Sequence, residues 1–148
     1  LEDVFPILAK TYPDRYGGMT LPDLIKEMHD YMKENKQGIL LQEAYEKLPE
    51  QVMTYAKAYK NLVRGDVEHV AVSDMEGRIV ATGVFPYPPG IPVLAPGEAA
   101  GKKDGPIIQY LLELQEFDRK FLGFSHDIHG VENVKGEYKI YCIKDGAK

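Results

Sequence analysis

Residues 54–84, TYAKAYKNLVRGDVEHVAVSDMEGRIVATGV, change their hydrophobic period halfway along. Up to Arg64 the apolar residues Tyr55, Ala58, Tyr59, Leu62 and Val63 recur at helical spacing. They predict the buried stripe of a helix capped by Thr54. Gly65 stands where a left-handed C-terminal cap belongs. Beyond it the period becomes 2. Val67–Ser73 and Arg78–Val84 are rich in β-branched residues and flank the turn-forming cluster Asp74-Met75-Glu76-Gly77, which predicts a β-hairpin.

Working upstream, Thr20 and Asp23 have capping-box spacing, and Leu21, Leu24, Ile25, Met28 and Met32 follow with period 3.6. The spacing predicts a helix over about 21–35, stopped near Gly38, and a shorter one over about 40–47 ahead of Pro49. Downstream, five of the ten prolines crowd into Phe85–Gly97. Five locked φ angles and five missing N–H donors exclude regular helix or central strand, so a rigid, extended, polyproline-like segment is expected. Asp104-Gly105-Pro106 opens a last helix with a wide apolar face of Ile107, Ile108, Leu111, Leu112, Leu114 and Phe121. Val131–Val134 and Glu137–Ile143 flank Gly136 as a second hairpin. Helices come first, hairpins later, and no βαβ rhythm appears. The class is α+β, packed as one small domain over residues 1–148.

Composition narrows the function. The chain has 148 residues, 44% hydrophobic and 28% charged, within the range of one soluble globular domain. A formal net charge of −5, without a basic block, argues against nucleic acid as a partner. No apolar run approaches the ~20 residues that span a bilayer, so no membrane partner is expected. Cys142 is the single cysteine, which precludes an intramolecular disulfide and makes a reducing cytoplasm the expected compartment. A first residue of Leu1, not methionine, predicts a chain cut from a longer one, and a processed terminus would look the same.

No self-sufficient active site emerges. His126-Asp127-Ile128-His129 has two imidazoles and a carboxylate of the type that hold zinc or iron, but no His-Glu-x-x-His pattern supports it. In extended chain Asp127 and Ile128 point to opposite faces, so hydrogen bonding that fixes a turn before Gly130 is the simpler role. Gly97-Glu98-Ala99-Ala100-Gly101-Lys102-Lys103 lacks both the glycine spacing and the hydroxyl residue of a phosphate loop. Ser73 and Ser125 lack a nucleophile-elbow context. Cys142, His69 and His29 fit structural positions. No catalytic, cofactor-binding or metal-binding residue is assigned.

The most distinctive stretch is Pro86-Tyr87-Pro88-Pro89-Gly90-Ile91-Pro92 with Pro96-Gly97-Glu98, preceded by Gly77-Arg78-Ile79. It resembles the C-terminal signature of the large bacterial-type Orn/Lys/Arg decarboxylases, enzymes of the aspartate-aminotransferase fold type. Arg64-Gly65-Asp66-Val67-Glu68, Gly123-Phe124-Ser125-His126-Asp127-Ile128-His129-Gly130 and the strand Tyr138–Lys144 follow the same family order. The resemblance runs from Thr20 to Lys144. It implies a parent enzyme that decarboxylates ornithine, lysine or arginine on pyridoxal 5'-phosphate, in polyamine biosynthesis or amino-acid catabolism. The family's cofactor lysine lies in a Ser-x-His-Lys element, and this sequence has no His-Lys pair. The resemblance therefore implies an isolated chain that is inactive and binds no cofactor itself, the catalytic domain being absent.

On this reading the chain is a noncatalytic C-terminal domain. Its partners would be the catalytic domain of the same polypeptide and neighbouring subunits of a homo-oligomer, where it helps shape the active-site approach and subunit assembly. Tyr87, Pro88, Pro89, Gly90, Pro92, Pro96, Gly97, Glu98, Asp127, His129 and Gly130 are the motif positions, with structural, channel or interface roles. Glu98 would steer a cationic substrate by Coulomb attraction. An excised domain should also expose an apolar patch. Two readings compete: a free-standing protein-interaction module with the same fold, and a small metal-dependent hydrolase using His126 and His129.

Overall fold

The computed structural model describes residues 1–147. Two short helices, α1 (Pro6–Thr11) and α2 (Pro13–Tyr16), precede α3 (Leu21–Glu34). The first two each start on a proline at a first-turn position, where a missing N–H costs nothing. Thr20 and Asp23 form the expected reciprocal capping box on α3. Gly38 does not end that helix. Asn35 caps it, Lys36 turns left-handed with φ 55°, and Gly38 lies inside α4 (Gln37–Glu46). The chain thus reverses on Lys36, two residues before the expected stop.

Helix α5 (Tyr55–Arg64) is capped as expected, by the Thr54 hydroxyl and by left-handed Gly65. Its buried side is not the expected stripe. Ala58 and Asn61 are buried and Leu62 packs with them, whereas Tyr55, Tyr59 and Val63 are 59%, 60% and 68% exposed. Small Ala58 lets the helix approach Ile79, Ala81 and Ile143 closely, and the bulky residues face outward.

The first hairpin is replaced by a longer-range pairing. Strand β1 (Val67–Ala71) runs antiparallel to β5 (Glu137–Ile143), with Val67 opposite Ile143 and Ala71 opposite Lys139. A 3-10 turn at Val72–Asp74 then carries the chain beneath β5, and Ile79–Ala81 pairs along its other edge. There the Ala81 N–H donates to Tyr141 O, and the Ile143 N–H donates to Ile79 O. β5 is inserted between the two segments expected to pair with each other. Its alternation of Tyr138, Ile140 and Cys142 inward gives the apolar ridge that makes the insertion favourable.

The second hairpin is as expected. β4 (Glu132–Val134) joins β5 through Lys135 and Gly136, both at positive φ, the geometry of a two-residue primed turn. Helix α6 (Pro106–Lys120), opened by Gly105 and Pro106, is the central element. One flank packs on α4 and the other on β5 and the 3-10 turn. Ile108, Leu111 and Leu114 are fully buried, each contributing about 1.5–3 kcal/mol by removal from water. At its C-terminal end Phe117 and Phe121 gather Tyr16, Leu24 and Tyr31 into an aromatic cluster, which anchors α2 and α3. The architecture is α+β, with a three-stranded sheet ordered β1-β5-β4 and a separate strand pair.

Candidate functional site: the proline loop and the Asp118 cluster

The proline-rich segment is a closed loop, not the extended polyproline-like segment the sequence predicts. The Val84 N–H donates to Leu94 O, and the Val93 N–H donates back to Val84 O, both at 2.9 Å. The Gly90 N–H donates to Pro86 O at 2.8 Å, and Tyr45 OH donates to Ile91 O at 2.6 Å. Tyr87-Pro88 and Pro88-Pro89 are cis. Strand β2 (Phe85–Tyr87) pairs with β3 (Asp127–His129), placing Pro86 opposite Ile128. Prolines remain compatible with this two-stranded ribbon because an edge strand leaves N–H positions outside the ladder.

The motif residues separate into two sets. Gly97, Glu98, Pro96 and Gly130 hold the fold. Gly97 has φ 90°, and a Cβ there would lie 2.3 Å from Met53 O; its own carbonyl accepts from Val52 N and Met53 N. Gly130 has φ 84°, with Gly83 O only 1.9 Å from where a Cβ would be. Glu98 Oε2 accepts from Ala95 N at 2.7 Å and closes the Ala95–Glu98 turn, so this carboxylate is engaged locally. Pro96 is buried. The second set forms a rim: Tyr87, Pro88, Pro89, Pro92, Asp127 and His129 are exposed. Tyr87 leans on the His129 ring at 4.8 Å between centroids, and a Cβ on Gly90 would collide with the Tyr87 ring at 2.8 Å. His129 and Asp127 lie on the same side of β3, with Nε2 and Oδ1 3.6 Å apart.

The two histidines of the His126–His129 segment do not converge. His129 faces the rim, while His126 turns inward to Asp118, its Nδ1 2.7 Å from Oδ1, and its backbone N–H donates to the same oxygen at 3.0 Å. Among the described residues no group of three or more His, Cys, Asp or Glu side chains is placed to hold a metal. Ser125 is exposed, and its hydroxyl has no hydrogen bond to His126 among those formed.

Asp118 centres a polar cluster that sequence reading missed. It is 6% exposed, and its second oxygen accepts from the Tyr138 hydroxyl of β5. Burial and the adjacent Asp118 carboxylate both push the Tyr138 phenol far above its ordinary pKa, so it stays a donor. Gln115 Oε1 accepts from Tyr138 N at 2.7 Å, tying the same strand to α6 a second time. Glu113, five residues before Asp118 on α6, is buried, and neither carboxylate oxygen has a partner. Burial raises it to about 7, with His126 opposing that shift and Asp118 adding to it. The arrangement fastens α6, β5 and the segment before β3 together. It offers no nucleophile beside a base.

Comparison with known proteins follows the same outline. Residues 38–144 match the family described as Orn/Lys/Arg decarboxylase, C-terminal domain. The chain is 43% identical over 144 residues to the biodegradative arginine decarboxylase of Escherichia coli K12, covering 97% of this chain and 19% of that enzyme. It is 40% identical over 149 residues to a lysine decarboxylase of Pseudomonas aeruginosa, covering 98% of this chain and 20% of that enzyme. The solved constitutive lysine decarboxylase of E. coli superposes with a TM-score of 0.88 at 33% identity, over 97% of this chain and 20% of that one. The chain therefore spans about a fifth of the length of the relatives it matches. Sequence order, fold and extent agree: the chain belongs to the C-terminal domain family of the Orn/Lys/Arg decarboxylases.

Proposed function

We infer that the chain serves as the noncatalytic C-terminal domain of a pyridoxal-phosphate-dependent basic amino acid decarboxylase, packing on the catalytic part and on neighbouring subunits. The observation that carries this reading is the outer face of α5. Tyr55, Tyr59 and Val63 stand four residues apart with 59%, 60% and 68% of their surface exposed. Tyrosines held on one helix at this spacing suit an interface, since they bring large area with little rotamer entropy to lose. The matched relatives are about five times longer than this chain, and the rest of such a decarboxylase is the surface proposed to cover the stripe.

The residues present do not fit the cofactor itself. A Schiff-base lysine works from a desolvated pocket. Among the described residues every lysine but Lys139 is exposed, and Lys139 pairs with Glu137 at 3.2 Å. On this reading pyridoxal phosphate and the decarboxylation of ornithine, lysine or arginine belong to the part of the enzyme beyond this domain. The rim of Tyr87, Pro88, Pro89, Pro92, Asp127 and His129 is the second surface assigned to the assembly, beside the active-site approach. Its rigidity lowers the ordering cost of a contact. Glu98 is better placed to hold its turn than to steer substrate, because Ala95 N already occupies its Oε2.

The test is a chimera in which this chain replaces the C-terminal fifth of the E. coli biodegradative arginine decarboxylase. Restored arginine decarboxylation relative to the truncated enzyme, lost again in the Tyr59→Glu/Val63→Glu chimera, supports the reading. A truncated enzyme as active and as assembled as the chimera refutes it, and leaves the domain a free-standing interaction module.

A further inference from the structure

Glu113 lies in the middle of α6 at 8% exposure with both carboxylate oxygens unpartnered. No neighbouring donor reaches either oxygen, and several are engaged elsewhere. Tyr138 OH and the backbone N–H and Nδ1 of His126 face Asp118, Gln115 Nε2 donates to Glu116, Gln109 Nε2 donates to Lys103 O, and Asn35 Nδ2 donates to Tyr31 O. A bare carboxylate in such a place carries an uncompensated desolvation cost that a neutral carboxyl avoids. The residue sits where four elements meet. Tyr31 faces it from α3, Tyr110, Glu116 and Asp118 from α6 itself, His126 from the segment before β3, and Tyr138 from β5, while Tyr45 of α4 adjoins Tyr110. Of these only His126 can bear positive charge, and its Nδ1 is bound to Asp118.

We propose that Glu113 is a proton-binding site at the junction of α3, α4, α6 and β5, which takes up one proton on mild acidification and tightens that junction. The chemistry is a single protonation, carboxylate to carboxyl, with solvent as the source. It removes the one uncompensated charge of the junction. The direction of the effect follows from the raised folded-state value of about 7 against the ordinary 4.5. Stability from this group is fully present below the unfolded value and is lost as pH rises through the folded one. The domain therefore gains stability between pH 7.5 and 5.5, the opposite of ordinary acid destabilisation. This device is independent of the decarboxylase assignment, since it resides in the chain's own interior.

The experiment is urea unfolding of the 148-residue chain at about pH 7.5 and 5.5, wild type beside Glu113→Gln and Glu113→Met. The folding constant of the wild type should gain about twentyfold on acidification relative to both variants, the effect of one group moving from 4.5 unfolded to about 7 folded. An equal pH response in wild type and variants overturns the proposal. Carboxyl-carbon NMR of the wild type, with Glu113 assigned by its loss in either variant, gives a readout that does not depend on variant stability. If neither variant folds, direct comparison with the other glutamate signals of the wild type serves the same end. A Glu113 midpoint well above the other glutamates supports the site, and a midpoint among them refutes it.

Discussion

Asp118→Ala tests the polar cluster most severely. The substitution deletes two hydrogen bonds to His126, at 2.7 and 3.0 Å, and the one from the Tyr138 hydroxyl, all from a residue 6% exposed. Tyr138 is 2% exposed, so its O–H would be stranded in the core, and each orphaned buried donor costs about 1–3 kcal/mol. With His126 also released, the loss should be about 3–5 kcal/mol, a large part of a typical total stability. Tyr138→Phe removes one partner and leaves Asp118 bound to His126, so its cost should be lower, about 1.5–3 kcal/mol. In the double variant no phenol remains to be stranded, and the two costs should fall short of additivity by about 1–3 kcal/mol. Equilibrium urea unfolding at constant m-value measures all three. Asp118→Ala costing under about 1 kcal/mol, or strictly additive losses, would refute the view that this cluster fastens α6 to β5.

Other outcomes follow from single positions. Gly130→Ala places a methyl against Gly83 O at a φ of 84° and should cost about 2 kcal/mol or more, a Tm fall of roughly 4–8 °C by calorimetry. Tyr59→Ser on the exposed face of α5 should change the stability of the isolated chain by less than about 0.5 kcal/mol while weakening association with a decarboxylase core in a binding titration. Burial pushes the Cys142 thiol up to about 12, so its reaction with a disulfide reagent at neutral pH should track unfolding; rapid reaction of the native chain would contradict the burial.

Much of the local structure is legible in the sequence because it rests on local chemistry. Thr20 with Asp23, Thr54 with Gly65, Gly105-Pro106, and the Lys135-Gly136 turn each specify an element boundary within a few residues. What is illegible depends on distant partners. Nothing within 67–84 announces that β5, some sixty residues later, will separate the two halves of an apparent hairpin. Composition alone cannot choose between the two faces of α5 either, since Ala58 and Asn61 pack inside only because Ile79, Ala81 and Ile143 leave room for small side chains. The motif glycines and prolines were recognisable as a signature, yet their division into holders and rim follows from the loop's closure. The Asp118 cluster did leave one trace. Asp118 falls in helical register with Leu111 and Leu114, on what would otherwise be an apolar face, and an acid there signals a buried partner.

The measurement closest to the central claim is a pyridoxal-phosphate titration of the purified chain, with borohydride trapping, mass spectrometry, and assays of CO₂ release from lysine, ornithine and arginine. A noncatalytic domain should give no stoichiometric adduct at any one lysine and no CO₂. A one-to-one adduct at a single lysine, accompanied by turnover, would contradict the account and place an active site within these residues.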